Sequence, residues 1–203
     1  VENADPWGTL LSERTLEPLF RTVRLAISVS ISAAFIGVFL AWVTVRTDLP
    51  GSRIWCVLMP IPLIFPTFIG AAALIRTMNP GGLLNELITA IGFEKTLELK
   101  GFFGAWLALT LFTYPYVYLP VAAKFHRLSG SLEESARVLG DSAVKVFFRV
   151  VMPQAAVSVL ASTLLVFLYT VSDFGVVQLM RYDTLTRAIY TNHLARPPLA
   201  LAL

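Results

Sequence analysis

This sequence of 203 residues contains few candidates for catalytic, metal-binding or nucleotide-binding residues. Cys56 is the single cysteine, which excludes an intrachain disulfide and a thiol-rich metal site. His126 and His193 lie far apart in polar segments, and we interpret both as surface residues rather than metal ligands. The G-x-S-x-G and H-E-x-x-H patterns are absent, as is the G-x-x-x-x-G-K phosphate loop that would bind ATP. The sequence therefore predicts no catalytic site, no metal site and no nucleotide bound by this chain.

The acidic residues with the most informative spacing lie in a polar stretch from Ser129 to Gln154. Within it, Ser131 and Glu134 match a capping box, in which each side chain accepts a hydrogen bond from the backbone of the other residue. This spacing predicts a short helix that begins at Leu132. Gly140 can adopt the left-handed conformation that ends a helix, so we expect the helix to stop there. The apolar residues on one face of this helix are Leu132, Ala136 and Leu139.

A second short helix is predicted after Gly140. Asp141 can cap it, and its apolar face precedes Pro153, which opens the next hydrophobic stretch. The residues of that face are Val144, Phe147, Phe148 and Val151. The product is an amphipathic helix-turn-helix. Glu133 and Glu134 make its beginning acidic, which favours contact with a protein over contact with an anionic lipid surface.

The elements that position this loop are long hydrophobic stretches. The sequence is 56% hydrophobic and only 14% charged, against roughly 25% charged in soluble domains. Four stretches carry no charge, and each is long enough to cross a bilayer as a helix. They are Leu25–Val45, Ile54–Ile75, Phe102–Ala123 and Val150–Ser172. We predict an all-α membrane protein, a bundle of four complete transmembrane helices forming one domain over residues 1–203.

Five prolines fall inside two of the predicted spans: Pro60, Pro62, Pro66, Pro115 and Pro120. One explanation is that neighbouring helices bond the carbonyl groups that each proline frees. The other is that broken helices leave backbone groups facing a cavity. The sequence does not choose between them. No charged residue lies inside a span, whereas ion-coupled carriers usually need one near the midplane.

Loop charge predicts the orientation. The connections 46–53 and 124–149 share one side of the membrane and carry basic residues at higher density than those on the other side. The positive-inside rule therefore makes this side cytoplasmic. The net charge of +3 has the same origin, so it does not indicate nucleic-acid binding. The N-terminal segment then lies outside the cytoplasm, and an apolar run begins after Pro198. We expect spans to be missing at both ends.

The loop between the third and fourth spans resembles a known signature. Glu134, Ser135 and Ala136 are followed by three residues and Gly140, then by nine residues and the aliphatic residues before Pro153. This spacing is similar to the EAA motif of binding-protein-dependent ABC transporter permeases, which have a MetI-like transmembrane domain. In that family the loop, here residues 124–153, is a coupling helix that docks in a groove of the ATP-hydrolysing subunit.

The resemblance implies several partners. It implies a separate ATP-binding subunit that carries ATP and magnesium, a periplasmic solute-binding protein, and a second permease half. It also implies the bacterial inner membrane and a transport role without enzymatic activity in this chain. The residues it assigns to docking of the ATPase subunit are Glu133, Glu134, Ser135, Ala136, Leu139, Gly140 and Pro153.

The segment after the fourth span indicates the solute. Asp173, Phe174 and Gly175 follow the span, and a threonine-rich stretch then leads to the pair Ile189 and Tyr190. This segment resembles the first half of ferric-iron import permeases, which fuse two halves in one chain. A lone carboxylate is a poor site for a hard cation. We therefore expect these three residues to form part of an outer gate or a contact with the binding protein.

Other functions stay open at this stage. Related permeases for thiamine, phosphonate, sulfate and polyamines share the architecture, so each is an alternative to iron. An ion-coupled secondary carrier and a membrane scaffold without transport are more remote alternatives. Copurification of a nucleotide-binding subunit separates the leading interpretation from the carrier, whereas four helices that form no cavity would favour the scaffold.

Overall fold

The computed structural model of the chain describes residues 13–91, 98–128 and 130–195, and its regular elements in these ranges are all helical. A 3₁₀ turn, Ile61–Ile64, follows the second helix. In chain order the α-helices are α1 (Glu13–Arg46), α2 (Ser52–Leu58), α3 (Thr67–Met78), α4 (Leu83–Ala90), α5 (Gly101–Arg127), α6 (Gly130–Val138), α7 (Ala143–Ser172), α8 (Gly175–Leu179) and α9 (Leu185–Ala195).

Three helical stretches are long and apolar enough to cross a membrane. They are Leu16–Arg46, Gly101–Arg127 and Ala143–Ser172, with mean hydropathy of 2.2, 1.3 and 2.0. Each of these helices contains one of the predicted charge-free stretches. The prediction of an all-α, multi-pass membrane protein is confirmed.

The remaining predicted span, Ile54–Ile75, is not a single continuous helix. The helical segments Ser52–Ile64 and Thr67–Leu87 reach the length and hydropathy of a span only as a bent pair. Proline is the physical reason, because it cannot donate to the helical ladder and its ring clashes with the preceding turn. Phe65, directly before Pro66, has φ −94° and ψ 129°, the extended conformation that a following proline favours.

One carbonyl at this interruption is bonded by a neighbouring helix. The Tyr114 hydroxyl of α5 donates to the carbonyl oxygen of Met59 over 2.7 Å. Met59 lies where the α-helix gives way to the 3₁₀ turn, and the Leu63 N–H bonds Pro60 instead of Met59. At this position the structure favours the first explanation of the prolines, repair by a neighbouring side chain. Pro115 and Pro120 lie within α5, which runs through both positions without a break.

The chain divides into two compact units. Unit A consists of residues 30–65 and 110–167. Its largest fully buried side chains include Tyr118 and Phe125 of α5 and Val146 and Val151 of α7. Gly37 of α1 lies so close to α5 that a Cβ at this position would be 2.8 Å from Val117 Cβ. Small residues permit this approach where packing, rather than the hydrophobic effect, associates helices in a membrane.

Unit B consists of residues 1–29, 66–109 and 168–203, described over the ranges given above. Its buried side chains include Leu25, Val176 and Met180. The guanidinium of Arg24 lies 4.5 Å from the ring centroid of Phe102. It also donates to the Tyr182 hydroxyl at 3.3 Å. These contacts join segments that the predicted topology places together on the non-cytoplasmic side.

We expect Gly37→Ala to destabilise the protein by about 1–3 kcal/mol, because the new methyl group overlaps α5 backbone and Val117. Thermal unfolding of the detergent-solubilised protein measures the change. Ala161→Leu, at an exposed position of α7, is the control for added volume. Equal melting temperatures for Gly37→Ala and the wild type would contradict the close packing of α1 and α5.

Candidate functional site

The predicted loop helix is present as α6 and ends at Gly140. Gly140 has φ +90°, a conformation that side chains other than glycine rarely adopt. Its N–H bonds the Arg137 carbonyl at 2.9 Å, and the Asp141 N–H bonds the Ala136 carbonyl at 3.1 Å. This pair of bonds is a Schellman motif, which satisfies carbonyl groups that the helix end would otherwise leave unbonded. The predicted role of Gly140 in ending the helix is confirmed.

Two details of the predicted loop differ from the structure. Helix α6 begins at Gly130 rather than at Leu132, so Ser131 lies within its first turn rather than before it; the Ser131 side chain is outside the described residues. The cap of the next helix is Ser142, whose side chain accepts from the Lys145 N–H at 3.4 Å. Asp141 does not cap, because its backbone completes the Schellman motif, and its carboxylate instead pairs with Lys145.

The second loop helix is also longer than predicted, because it continues into the fourth span as α7. A π-helical turn, Phe147–Val151, joins the two parts. Pro153 follows after Met152, and its missing N–H would interrupt an α-helical ladder at this point. The predicted apolar face of this helix is only partly buried. Val151 is buried and Phe147 packs 5.2 Å from Trp42, whereas Val144 and Phe148 are exposed.

The two adjacent glutamates of α6 have different surroundings. The Glu133 carboxylate lies 2.9 Å from Nη1 of Arg46, and only 14% of its side chain is exposed. Glu134 is exposed, as is Ser135, and Ala136 is partly buried. Consecutive residues of a helix point in directions roughly 100° apart, so one glutamate can face the rest of the chain while the next faces away from it.

Apolar residues at the end of α6 are exposed on the surface of the chain. Val138 is 87% exposed and Leu139 is 85% exposed. They adjoin the exposed Glu134, while Pro153 is exposed one turn into the span helix. Exposed aliphatic residues beside a carboxylate at the tip of a short helix are suited to a groove on another protein. The aliphatic groups supply contact area, and the charge sets the register.

Sequence reasoning missed Arg46 as part of this site. The sequence places it only in the connection 46–53, yet its guanidinium contacts both the end of α5 and α6. The available signal was a basic residue at a helix end, which commonly bonds terminal carbonyl groups. The partner helix could not be deduced from spacing, because Arg46 and Glu133 are far apart in the sequence.

The other predicted site residues are Asp173, Phe174 and Gly175. They follow the carboxyl-terminal end of α7, in unit B. The Asp173 Oδ1 atom accepts from the Val176 N–H at 2.9 Å, at the start of α8. The Thr67 hydroxyl donates to its Oδ2 atom at 3.4 Å and lies 2.8 Å from the Tyr169 hydroxyl. Burial raises the pKa of Asp173, and the hydrogen bonds from Val176, Val177 and Thr67 oppose this shift.

Phe174 and Gly175 also make internal contacts. The Phe174 ring lies 4.5 Å from that of Tyr190, and a Cβ at Gly175 would be 2.9 Å from Phe68 Cβ. Together with Asp173 they line a cleft of about 320 Å³. No group of three or more potential metal ligands occurs among the residues that the structure describes. The arrangement places a carboxylate and the Thr67 hydroxyl beside aromatic rings at one cleft.

The fold and the site define a class. The chain is a multi-pass membrane protein, and a short helix between two spans exposes a carboxylate and aliphatic side chains on its surface. Residues 18–193 match the family model described as "Binding-protein-dependent transport system inner membrane component". The chain therefore belongs to this family of transport permeases.

Relatives with different solutes are similar to this chain. The Fe(3+)-transport system permease protein FbpB 2 of Haemophilus influenzae is 31% identical over 91% of this chain and 33% of its own length. A probable sulfate permease, cysT of Marchantia polymorpha, is 27% identical over 86% of this chain and 61% of its length. The molybdenum permease ModB of Escherichia coli is 26% identical over 78% and 70%. This chain thus spans only a third of the iron permease.

A solved structure shares the fold. The crystal structure of an amino acid ABC transporter with histidines aligns with a TM-score of 0.60 over 89% of this chain and 79% of that chain, at 18% identity. At this level of identity the similarity concerns the fold alone.

We expect replacements of Asp173 to separate its capping role from its charge. Asn keeps the oxygen that accepts from Val176, whereas Ala removes it, so Asp173→Ala should be less stable than Asp173→Asn by about 1 kcal/mol at every pH. Because burial raises the carboxyl pKa in the folded state, the carboxyl's stabilising contribution is present at low pH and is lost as pH rises through the folded pKa. The stability of the wild type relative to Asp173→Asn should therefore fall over the pH range in which the folded-state carboxyl ionises, which lies above the ordinary carboxyl pKa.

Thermal unfolding in detergent across this pH range tests both parts. Thr67→Val is a matched variant that removes the hydroxyl contact but retains the carboxylate. A wild-type stability that rises against Asp173→Asn with increasing pH would contradict a pKa raised by burial.

Proposed function

We propose that this chain is the permease part of an ATP-driven importer and that its solute is ferric iron. The observation that carries the transport role is the exposed tip of α6, with Glu134, Val138 and Leu139 facing outward between two spans in a chain of this family. The solute assignment rests on the 31% identity to an iron permease over most of this chain.

The proposed occupant of the α6 surface is an ATP-hydrolysing subunit. Transport against a gradient needs an energy source, and the sequence carries no phosphate-binding loop. A cytoplasmic subunit that binds ATP and magnesium would supply it. Helix α6 would insert its apolar tip into a groove of that subunit, and Gly140 would hold the tip in the required conformation.

Recognition of iron is proposed to reside mainly with a periplasmic binding protein. Ferric iron is a hard cation that needs several oxygen ligands, and the described residues form no such group. Asp173, Phe174 and Gly175 would then contribute to the outer gate or to contact with the binding protein. A second permease half, fused or separate, would complete the path.

An inorganic oxyanion is the second candidate solute. It is favoured by the sulfate and molybdenum permeases, which are 26–27% identical over most of this chain. Ferric iron and these anions are all small inorganic ions, so the same permease architecture would serve either with a different binding protein.

The docking proposal predicts that Glu134→Lys and Leu139→Ser each weaken binding of the ATPase subunit by roughly 5- to 30-fold, the range for central interface residues. Copurification and titration of the ATPase subunit against the full-length permease measure the effect. Glu86→Lys and Leu83→Ser make the same chemical changes at exposed positions of α4, on the predicted opposite side, and should leave binding unchanged. Wild-type affinity in both α6 variants would refute the docking site.

The solute proposal predicts that cells lacking the full-length gene lose ferric-iron uptake and retain sulfate and molybdate uptake. Labelled-ion uptake in the deleted and complemented strains provides the measurement. Intact iron uptake with loss of one oxyanion would reject iron in favour of the second candidate, and the importer role would stand. Unchanged uptake of all three ions would reject both solutes.

A further inference from the structure

Arg46 joins three helix ends within unit A. It is the last residue of α1. Its Nη2 atom donates to the carbonyl oxygens of Phe125 and Leu128, at 2.6 and 3.1 Å, at the end of α5. Its Nη1 atom lies 2.9 Å from the Glu133 carboxylate in α6. One guanidinium therefore connects two span ends to the proposed docking helix.

Each of these contacts has a physical reason. The last carbonyl groups of a helix have no donor within the helix, and a guanidinium supplies several donors in a fixed plane. Its positive charge is favourable near the carboxyl-terminal ends of α1 and α5. Glu133 lies in the first turn of α6, where a negative charge is favourable. The charges of the ion pair are thus supported by the helices that carry them.

The burial of the pair makes the loss of one partner more costly than the loss of a surface contact. The side chains of Arg46 and Glu133 are 15% and 14% exposed. An exposed ion pair contributes little, whereas removing one partner of a buried pair leaves an uncompensated charge. Lysine cannot replace Arg46 fully, because an ammonium lacks the planar fork that reaches both the carbonyls and the carboxylate.

We propose that Arg46 and Glu133 form the link through which movement of α6 reaches the membrane-spanning helices α1 and α5. The inference rests on the proposed docking of an ATPase subunit on α6. In this arrangement Glu134 would contact the partner while Glu133 holds the helix to the permease. Arg46 is a positioning residue that does not touch solute or nucleotide. Loss of the link leaves docking intact and lowers the solute transported for each ATP hydrolysed.

The test uses the full-length permease reconstituted in proteoliposomes with its ATPase subunit and binding protein, and it measures uptake and ATP hydrolysis together. Glu133→Gln keeps the side-chain shape and should reduce transport per ATP by roughly 3- to 10-fold, within the range of coupling mutations. Arg46→Gln should reduce it further, because the contacts to Phe125 and Leu128 are also weakened. Arg46→Lys should recover part of the loss.

The double variant Arg46→Gln/Glu133→Gln distinguishes a linked pair from two independent sites. If the residues act together, the double variant is no worse than Arg46→Gln alone. Arg53→Gln changes an exposed arginine at the start of α2; this variant is the matched control and should transport normally. Titration of the ATPase subunit against each variant should give the wild-type affinity.

The failing outcomes are distinct. Wild-type transport per ATP in Glu133→Gln, or losses that multiply in the double variant, would overturn the link. A wild-type permease that does not bind an ATPase subunit would instead overturn the proposed function. Should Arg46→Gln fail to assemble, Glu133→Gln and Arg46→Lys decide the question, since both preserve the size of the side chain.

Discussion

A helix that ends or is interrupted leaves carbonyl groups without a donor in the helix, and other parts of the protein must bond them where neither water nor hydrocarbon does so. This requirement explains the most specific polar contacts in unit A. The Tyr114 hydroxyl bonds Met59 where the proline-rich segment interrupts a helix. At the end of α5, Arg46 bonds Phe125 and Leu128. Side chains that repair the backbone thereby also determine which helices are held together.

The same requirement operates at the amide end of a helix in unit B. The Asp173 carboxylate accepts from the Val176 N–H at the start of α8 and receives the Thr67 hydroxyl. Its capacity to accept hydrogen bonds is largely used within the protein, which leaves little for a cation. The chemistry of Asp173 thus favours a residue that shapes the opening over one that binds the solute. That preference agrees with specificity supplied by a separate binding protein.

Much of the fold could be predicted from local sequence, because charge-free length and glycine conformation are local properties. The long spans and the left-handed Gly140 followed from them. Features that depend on neighbouring helices could not be predicted in this way. Ser142 rather than Asp141 caps α7 because the preceding turn already uses the Asp141 backbone. The bent second span and the π turn before Pro153 were missed because proline allows several local geometries, and packing selects among them.

The contrast between Glu133 and Glu134 shows how one short helix can serve two proteins. Neighbouring residues on a helix diverge by roughly 100°, so two adjacent carboxylates can face different surroundings. The Glu133 carboxylate forms an ion pair with Arg46 inside the permease, and Glu134 is exposed. Under the proposed docking, movement of a partner bound to the exposed side of α6 would also move Glu133 on the other side. Since that residue is tied to the ends of α1 and α5, a displacement at the surface has a direct mechanical route to the spans.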